Sequence, residues 1–126
     1  MLTGELLSQN LPYLHLNDKV YQALQLMNDN QVAHLPIVDG EKYVGIISED
    51  DLLLVDNEHA ELNTLQQSFG NAAVKNNDHF LKAIQLAGEN GLSVVPIVDE
   101  ENDLEGAVAY NDLLRHASEF MSLKEP

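Results

Sequence analysis

The chain repeats itself, and no other feature constrains its fold as much. Shifting the 126 residues by 60 lays Asn17-Asp18 on Asn77-Asp78, and Ala23, Gln25, Leu26 and Asn30 on Ala83, Gln85, Leu86 and Asn90. The same shift lays Pro36-Ile37-Val38-Asp39 on Pro96-Ile97-Val98-Asp99. One extra residue then enters the second copy. At a shift of 61, Gly45 meets Gly106, and Asp51-Leu52-Leu53 meets Asp112-Leu113-Leu114. Such self-similarity marks a duplicated supersecondary unit. One copy is too small to bury its apolar faces alone, so the two are expected to pack as a pseudo-symmetric pair. The division reads as residues 1–56 for the first unit with an N-terminal helix, 57–68 for a linker, and 69–126 for the second unit.

Each copy predicts the same order of elements. A short alternating piece such as Leu14-His15-Leu16 precedes an N-cap signal, Asn17-Asp18 or Asn77-Asp78. Val20, Ala23, Leu24 and Met27 then recur at helical spacing, as do Phe80, Ala83, Ile84 and Ala87. These helices are expected to end near Asn30 and between Gly88 and Gly91. Strands follow at 34–38 and 93–98. The turns Asp39-Gly40 and Asp99 to Asp103 lead to second strands at 43–47 and 104–109. A closing helix begins near Ser48 and near Tyr110, the second carrying Leu113, Leu114, Ala117, Phe120 and Met121 on one face. Pro36 and Pro96 cannot donate to a ladder, which predicts a strand start or an edge for each. The class is α/β (α+β).

Charge narrows the partners. Acids number 21 against 6 bases, a formal net of −15, and Arg115 is the single arginine. No basic face for a phosphate backbone can be built from these residues, so nucleic acid is excluded as a partner. Anionic membrane surfaces are disfavoured for the same reason. No apolar run approaches the roughly 20 residues of a membrane helix, and MLTGELLSQN lacks a signal-peptide pattern. Cysteine is absent, which removes disulfides and thiolate chemistry and fits a cytoplasmic home. The sequence has no H-E-x-x-H, G-x-G-x-x-G, Walker or G-x-S-x-G motif, so nothing in it points to an enzyme.

Apolar-Pro-Ile-Val-Asp, a turn, a Gly-bearing strand and Ser-x-x-Asp-Leu recur across about residues 12–118. In this the chain resembles a tandem cystathionine-β-synthase (CBS) domain pair. His34-Leu-Pro-Ile-Val-Asp and Gly45-Ile-Ile-Ser-Glu-Asp-Asp-Leu carry the likeness most strongly. The resemblance implies two βαββα units whose sheets pack into a disc, and discs that pair as dimers. It also implies clefts between the units that bind adenine nucleotides or adenosyl ligands, and a regulatory, non-catalytic role. Acetoin-utilisation-type members continue into a small regulatory domain. The end of the chain at Ser122 to Pro126 therefore leaves open that it is a fragment acting on a downstream effector domain or protein.

The candidate site residues each have a plain reading beside the functional one. Ser48 and Asp51 sit where a strand becomes a helix, and alone they read as a cap with an acid complementing the dipole. The resemblance assigns Asp51 to ribose hydroxyls, which a carboxylate accepts well, and Ser48 to ribose or phosphate. His34 stands where relatives carry a basic residue toward phosphate. A lone histidine near a strand is more often structural; if it meets phosphate, binding strengthens as pH falls through about 6.5. Ile46 shares a strand face with Ser48 and reads equally as base-pocket wall or core. In the second copy Ala109 replaces Ser48, Asp112 keeps the carboxylate, and Tyr110 stacks on a base or packs at the rim. One functional site per chain is the sharper expectation. Glu49, Asp50, Asp51 and Asp56 are candidates to hold Mg²⁺ beside a phosphate; no cofactor is required. The five lysines form no cluster, which favours a monophosphate, an uncharged adenosyl group or a metal–nucleotide complex over a bare triphosphate.

The expected function is a regulatory module sensing AMP, ADP, ATP or S-adenosylmethionine between its two units. The rival is a non-catalytic dimerisation module with vestigial sites. A small-molecule hydrolase is the weakest reading. The apolar ends, Leu2 to Leu11 and Leu113 to Met121, predict a homodimer built through helices.

Overall fold

The computed structural model describes residues 2–6 and 11–124. The first unit runs β1 (Leu14–His15), α1 (Val20–Asn30), β2 (His34–Asp39), β3 (Lys42–Ser48) and α2 (Glu49–Leu53). The second runs β4 (Val74–Lys75), α3 (Phe80–Asn90), β5 (Val94–Val98), β6 (Leu104–Ala109) and α4 (Tyr110–Lys124). Each unit is βαββα with a three-stranded sheet, in the orders β1-β2-β3 and β4-β5-β6. The outer pairs β1–β2 and β4–β5 are parallel and start at Leu14 opposite Ile37 and Val74 opposite Ile97. A parallel pair needs a crossover, which α1 and α3 supply. The antiparallel hairpins close with Val38 opposite Tyr43 and Val98 opposite Leu104. The extra residue of the second copy lies in that turn.

Helix faces follow the apolar spacing. Val20, Ala23 and Met27 are buried on α1, and Phe80, Ala83 and Ala87 on α3. Leu24 and Ile84 are only half-buried. The caps differ from the sequence expectation. Asp18 and Asp78 lie before the helices, and each carboxylate accepts a hydrogen bond from an amide three residues earlier, His15 and Lys75, at 2.8 Å. They close the strand-to-helix turn, and the N-caps are Lys19 and His79. An Asx side chain competes for nearby backbone donors wherever the turn offers one. On α4, Leu113 is buried and Leu114 is 42% exposed, so the expected stripe loses Leu114. The side chains of Phe120 and Met121 lie outside the described residues, as do residues 7–10.

The prolines correct a second expectation. Pro36 and Pro96 lie inside the central strands, opposite Ile46 and Ala107. Ile46 spends both its backbone groups on Gly70, donating to its carbonyl and accepting from its amide at 2.8 Å each. Pro36 and Ile46 are therefore a non-hydrogen-bonded pair, and the proline nitrogen faces away from β3. On that side β1 is two residues long and meets only Ile37 and Val38. Proline is tolerated in the middle of the sheet because its neighbour stops short.

The leading segments are exchanged between the units. The segment read as the N-terminal helix of the first unit is a 3-10 helix, Thr3–Leu6, and it lies on the second unit. The Thr3 and Gly4 amides donate to the Asp78 and Asn76 carbonyls at 2.9 Å. The supposed linker forms another 3-10 helix, Leu62–Ser68, and lies on the first unit. There the Leu62 and Asn63 amides donate to the Asp18 and Leu16 carbonyls at 2.8 and 2.9 Å. The two straps thus meet positions 60 residues apart in the repeat. Thr3 and Leu62 are both fully buried. The first core gathers Leu14, Met27, Leu35, Ile37, Leu52 and Leu62, and the second gathers Phe80, Val95, Ile97, Val108 and Leu113 together with Ile46 from the first unit. Gly45 lies beneath the second strap. A Cβ there would stand 2.7 Å from the Phe69 Cβ and 2.9 Å from the Gly70 oxygen.

Candidate functional site between the two units

The units meet at two poles. At one, the residues before β2 and β5 interlock. The Ala33 carbonyl accepts the first amide of α2, from Glu49, and the Ser93 carbonyl accepts the first amide of α4, from Tyr110, both at 2.8 Å. These bonds satisfy helix donors that otherwise lack partners. Across the interface the Ala33 amide donates to Ser93 Oγ at 3.1 Å, and the Ser93 amide donates to His34 Nδ1 at 3.1 Å. Ser93 Oγ lies 2.9 Å from the same ring nitrogen. Nδ1 therefore serves as acceptor, which requires a neutral ring with its proton on Nε2. Half-burial holds the His34 pKa below its ordinary value, against the opposing pull of Asp50 and Asp51.

A cleft of about 470 Å³ opens at this pole, lined by Ala33, His34, Ala87, Gly88, Gly91, Leu92, Ser93 and Tyr110. Small residues make the space. In the first copy the counterparts of Ala87, Gly88 and Gly91 are Met27, Asn28 and Gln31. Gly91 is also the C-cap of α3, with φ +64, and a Cβ at Gly88 would reach the Tyr110 hydroxyl at 3.8 Å. The sequence marks both glycines as a helix end and hides their second use as cleft floor.

The candidate residues are distributed unevenly about this cleft. His34 and Tyr110 line it. Ser48 is the cross-strand partner of His34, so Ser48 and Asp51 stand one strand away. Ser48 Oγ accepts the Asp51 amide at 3.1 Å, the cap of α2. The Asp51 side chain is half-buried. Asp112 is held by Arg115 at 2.7 Å. The chain's only arginine is thus bound to the second-copy carboxylate. Ile46 is 4% exposed and packs in the second core, which is the core reading of that residue.

The other pole joins the hairpin turns. The Tyr43 amide donates to the Asn102 carbonyl and the Asn102 side chain returns to the Tyr43 carbonyl, each at 3.0 Å. The Lys42 ammonium meets Asp103 Oδ1 at 2.7 Å, which raises the lysine pKa. The Tyr43 hydroxyl donates to the Ala72 carbonyl at 2.6 Å, and burial pushes its pKa up. A cleft of about 350 Å³ here is lined by Tyr13, Gly40, Glu41, Asp99 and Asp103 among others. Among the described residues, the acids with oxygens close enough to share a cation are Asp99, Glu101 and Asp103. The first-turn acids Glu49, Asp50 and Asp51, with Asp56, form no such group among the described residues. Sequence reading took Asp99 to Asp103 for a turn. Asp99 indeed accepts the Glu101 and Asp103 amides at 2.9 Å.

Two βαββα units thus meet through the residues before β2 and β5 at one pole and through their hairpin turns at the other. A model described as the CBS domain matches residues 4–58 and again residues 72–119. The chain belongs to the CBS domain family. It is similar to the inosine-5'-monophosphate dehydrogenase of Methanocaldococcus jannaschii, 29% identical over 100 residues, which are 79% of this chain and 20% of that enzyme. It is also similar to the homoserine O-acetyltransferase of Methanobrevibacter ruminantium, 25% identical over 113 residues, 89% of this chain and 23% of that one. The chain spans about a fifth of the length of each. Among solved structures, a CBS domain pair/ACT domain protein from Thermotoga maritima has a TM-score of 0.83 at 24% identity, covering 94% of this chain and 98% of that one. CBSX2, a CBS-pair protein from Arabidopsis thaliana solved in complex with AMP, has a TM-score of 0.73 at 24% identity, covering 95% and 98%. The mixed α+β CBS pair is thereby the fold. Among the described residues, no helix is long and apolar enough to cross a membrane.

Proposed function

We propose that this CBS pair is a non-catalytic sensor that takes an adenine nucleotide or adenosyl ligand in the cleft beside His34 and Tyr110. The observation that carries the reading is the cleft itself, a space of about 470 Å³ held between the two units and walled by an aromatic ring. A ligand touching both units changes their packing when it binds one arrangement better than the other, and an effector reads that shift. Tyr110 offers a ring face to a purine. Asp51 offers a charged acceptor to ribose hydroxyls one strand away, with Ser48 beside it. The AMP held by the similar CBSX2 supports this ligand class.

Charge selects within that class. Among the described residues, no lysine or arginine lines the cleft, and Asp50 and Asp51 act on His34 at its edge. AMP or an uncharged or cationic adenosyl group suits this field better than ADP or ATP, whose extra charge needs Mg²⁺ to offset it.

A second reading has its own observation. Ala109 lacks the hydroxyl of Ser48, Asp112 is occupied by Arg115, and Leu53 and Leu54 stand 63% and 81% exposed at the end of α2. These features suit a dimerisation module with vestigial clefts. Under both readings the chain forms a homodimer through its helices, and light scattering showing a monomer at tens of micromolar would contradict that.

Calorimetry separates the two readings, with AMP, ADP, ATP, adenosine and S-adenosylmethionine, with and without Mg²⁺. Saturable heat that Gly88→Leu and Asp51→Ala reduce at least tenfold in affinity, both variants remaining folded, is the sensor's result. No heat and no thermal shift with any ligand leaves the dimerisation module.

A further inference from the structure

The contact between the units at the cleft is made by a titratable ring. The Ser93 amide of the second unit donates to His34 Nδ1 of the first, Ser93 Oγ lies at 2.9 Å from the same nitrogen, and the Ala33 amide donates back to Ser93 Oγ. The contact spans the repeat, and its two residues are not repeated: the counterpart of His34 is Val94 and that of Ser93 is Ala33. Both residues line the cleft.

We propose that His34 and Ser93 form a pH-sensitive latch between the two units, closed while His34 is neutral and released when Nδ1 gains a proton. A protonated Nδ1 is a donor and turns its N–H toward the Ser93 amide, itself a donor. The serine oxygen, which has two lone pairs, can accept from the cation beside the Ala33 amide, but the Ser93 amide is left without its acceptor. An unsatisfied amide at a half-buried contact favours separation. The strand starts then part at this pole, and the cleft widens.

The surroundings set the range. Asp50 and Asp51 on α2 favour the cation, while burial disfavours it and is the larger effect. Ser48 on β3 is uncharged, Tyr110 stands across the cleft at the start of α4, and the end of α3 contributes Ala87, Gly88, Gly91 and Leu92, none of which carries charge. The neutral form is favoured in the closed state. Its contribution is therefore complete above the ordinary value of 6.5 and is lost as pH falls from there toward the closed-state value. Among the described residues, no histidine joins the pole at Tyr43 and Asn102, which stays shut. The latch operates with or without a ligand.

Nuclear magnetic resonance tests this on the unliganded chain. At pH 7.5 the ring nitrogens of His34 are expected to report the Nε2–H form, with Nδ1 unprotonated. If the opened ring titrates near 6.5 and the closed ring does not bind the proton, opening rises about tenfold between pH 7.5 and 5.5. Exchange protection of the Ser93 and Ala33 amides, corrected for intrinsic rates, falls by that factor, while amides of the β2–β3 ladder keep theirs. In His34→Gln, whose amide oxygen can accept from Ser93 but does not titrate, the dependence disappears. An Nδ1–H ring, unchanged Ser93 protection, equal loss across the β2–β3 ladder, or the same pH dependence in His34→Gln would each overturn the latch. The ring and protection measurements on the unmodified chain decide the matter even if the variant fails to fold.

Discussion

The two units share strand order, strand register and the length of the crossover helix, yet they divide the work of the cleft unequally. The first brings the titratable ring and the Ser48–Asp51 strand end. The second brings the glycines, the aromatic wall and a carboxylate already bound to Arg115. Duplication supplies two equivalent frames, and substitution at a few positions then makes them complementary rather than redundant. Where the first copy has the larger Met27, Asn28 and Gln31, the second has Ala87, Gly88 and Gly91, which leave space in the cleft. Features kept in both copies serve the frame: the Asp18 and Asp78 turns, the Asn30 and Asn90 side chains that donate to Leu26 and Leu86 carbonyls, and the exchanged straps.

The comparison can be broken most severely at the straps. Leu62→Ala removes a fully buried side chain from the first core, and is expected to cost about 2–5 kcal/mol in urea unfolding. A loss under about 1 kcal/mol would reduce residues 62–68 to a passive linker. Gly45→Ala forces a Cβ against Phe69 and Gly70 and is expected to cost about 1–3 kcal/mol; an unchanged unfolding midpoint would mean that the strap does not press on β3. The helix ends sharpen the contrast with a smaller pair of opposite signs. Gln31 holds a left-handed φ of 55 where the second copy has Gly91 at 64. Gln31→Gly is expected to gain up to about 1 kcal/mol, and Gly91→Gln to lose about 1–2 kcal/mol. The smallest effect is the pH response. Below pH 6.5 the unmodified chain is expected to lose stability that His34→Gln retains, because the folded state resists the proton that the unfolded chain takes up. Parallel melting curves for the two proteins from pH 7.5 to 5.5 would contradict it.

How much of this was legible in the sequence follows from which forces act locally. The repeat, the helices 20–30 and 80–90 and the strand 104–109 could be read because apolar period and left-handed caps are written in adjacent residues. The N-caps fall one residue after Asp18 and Asp78, at Lys19 and His79, because those two acids had competing donors behind them. The central placement of Pro36 was hidden, since it depends on the shortness of β1 and on Gly70, 34 residues away. The straps were hidden because Thr3 and Leu62 share a structural position but not a residue type. At the site, His34 and Tyr110 stood out as chemistry-bearing types, whereas Gly88 and Gly91 carry no chemistry and act by leaving room. Ser93, which holds the units together, had no signal at all, being a lone serine at a strand start.

The central claim is that a ligand is read in the cleft where the copies differ. Backbone shift mapping with AMP on the full chain tests it most directly. The account predicts saturable shifts centred on Ala33, His34, Gly88, Gly91, Ser93 and Tyr110, with the second pole at Gly40 and Asp103 unmoved. Shifts centred on that second pole, or none at millimolar AMP and S-adenosylmethionine, would contradict it.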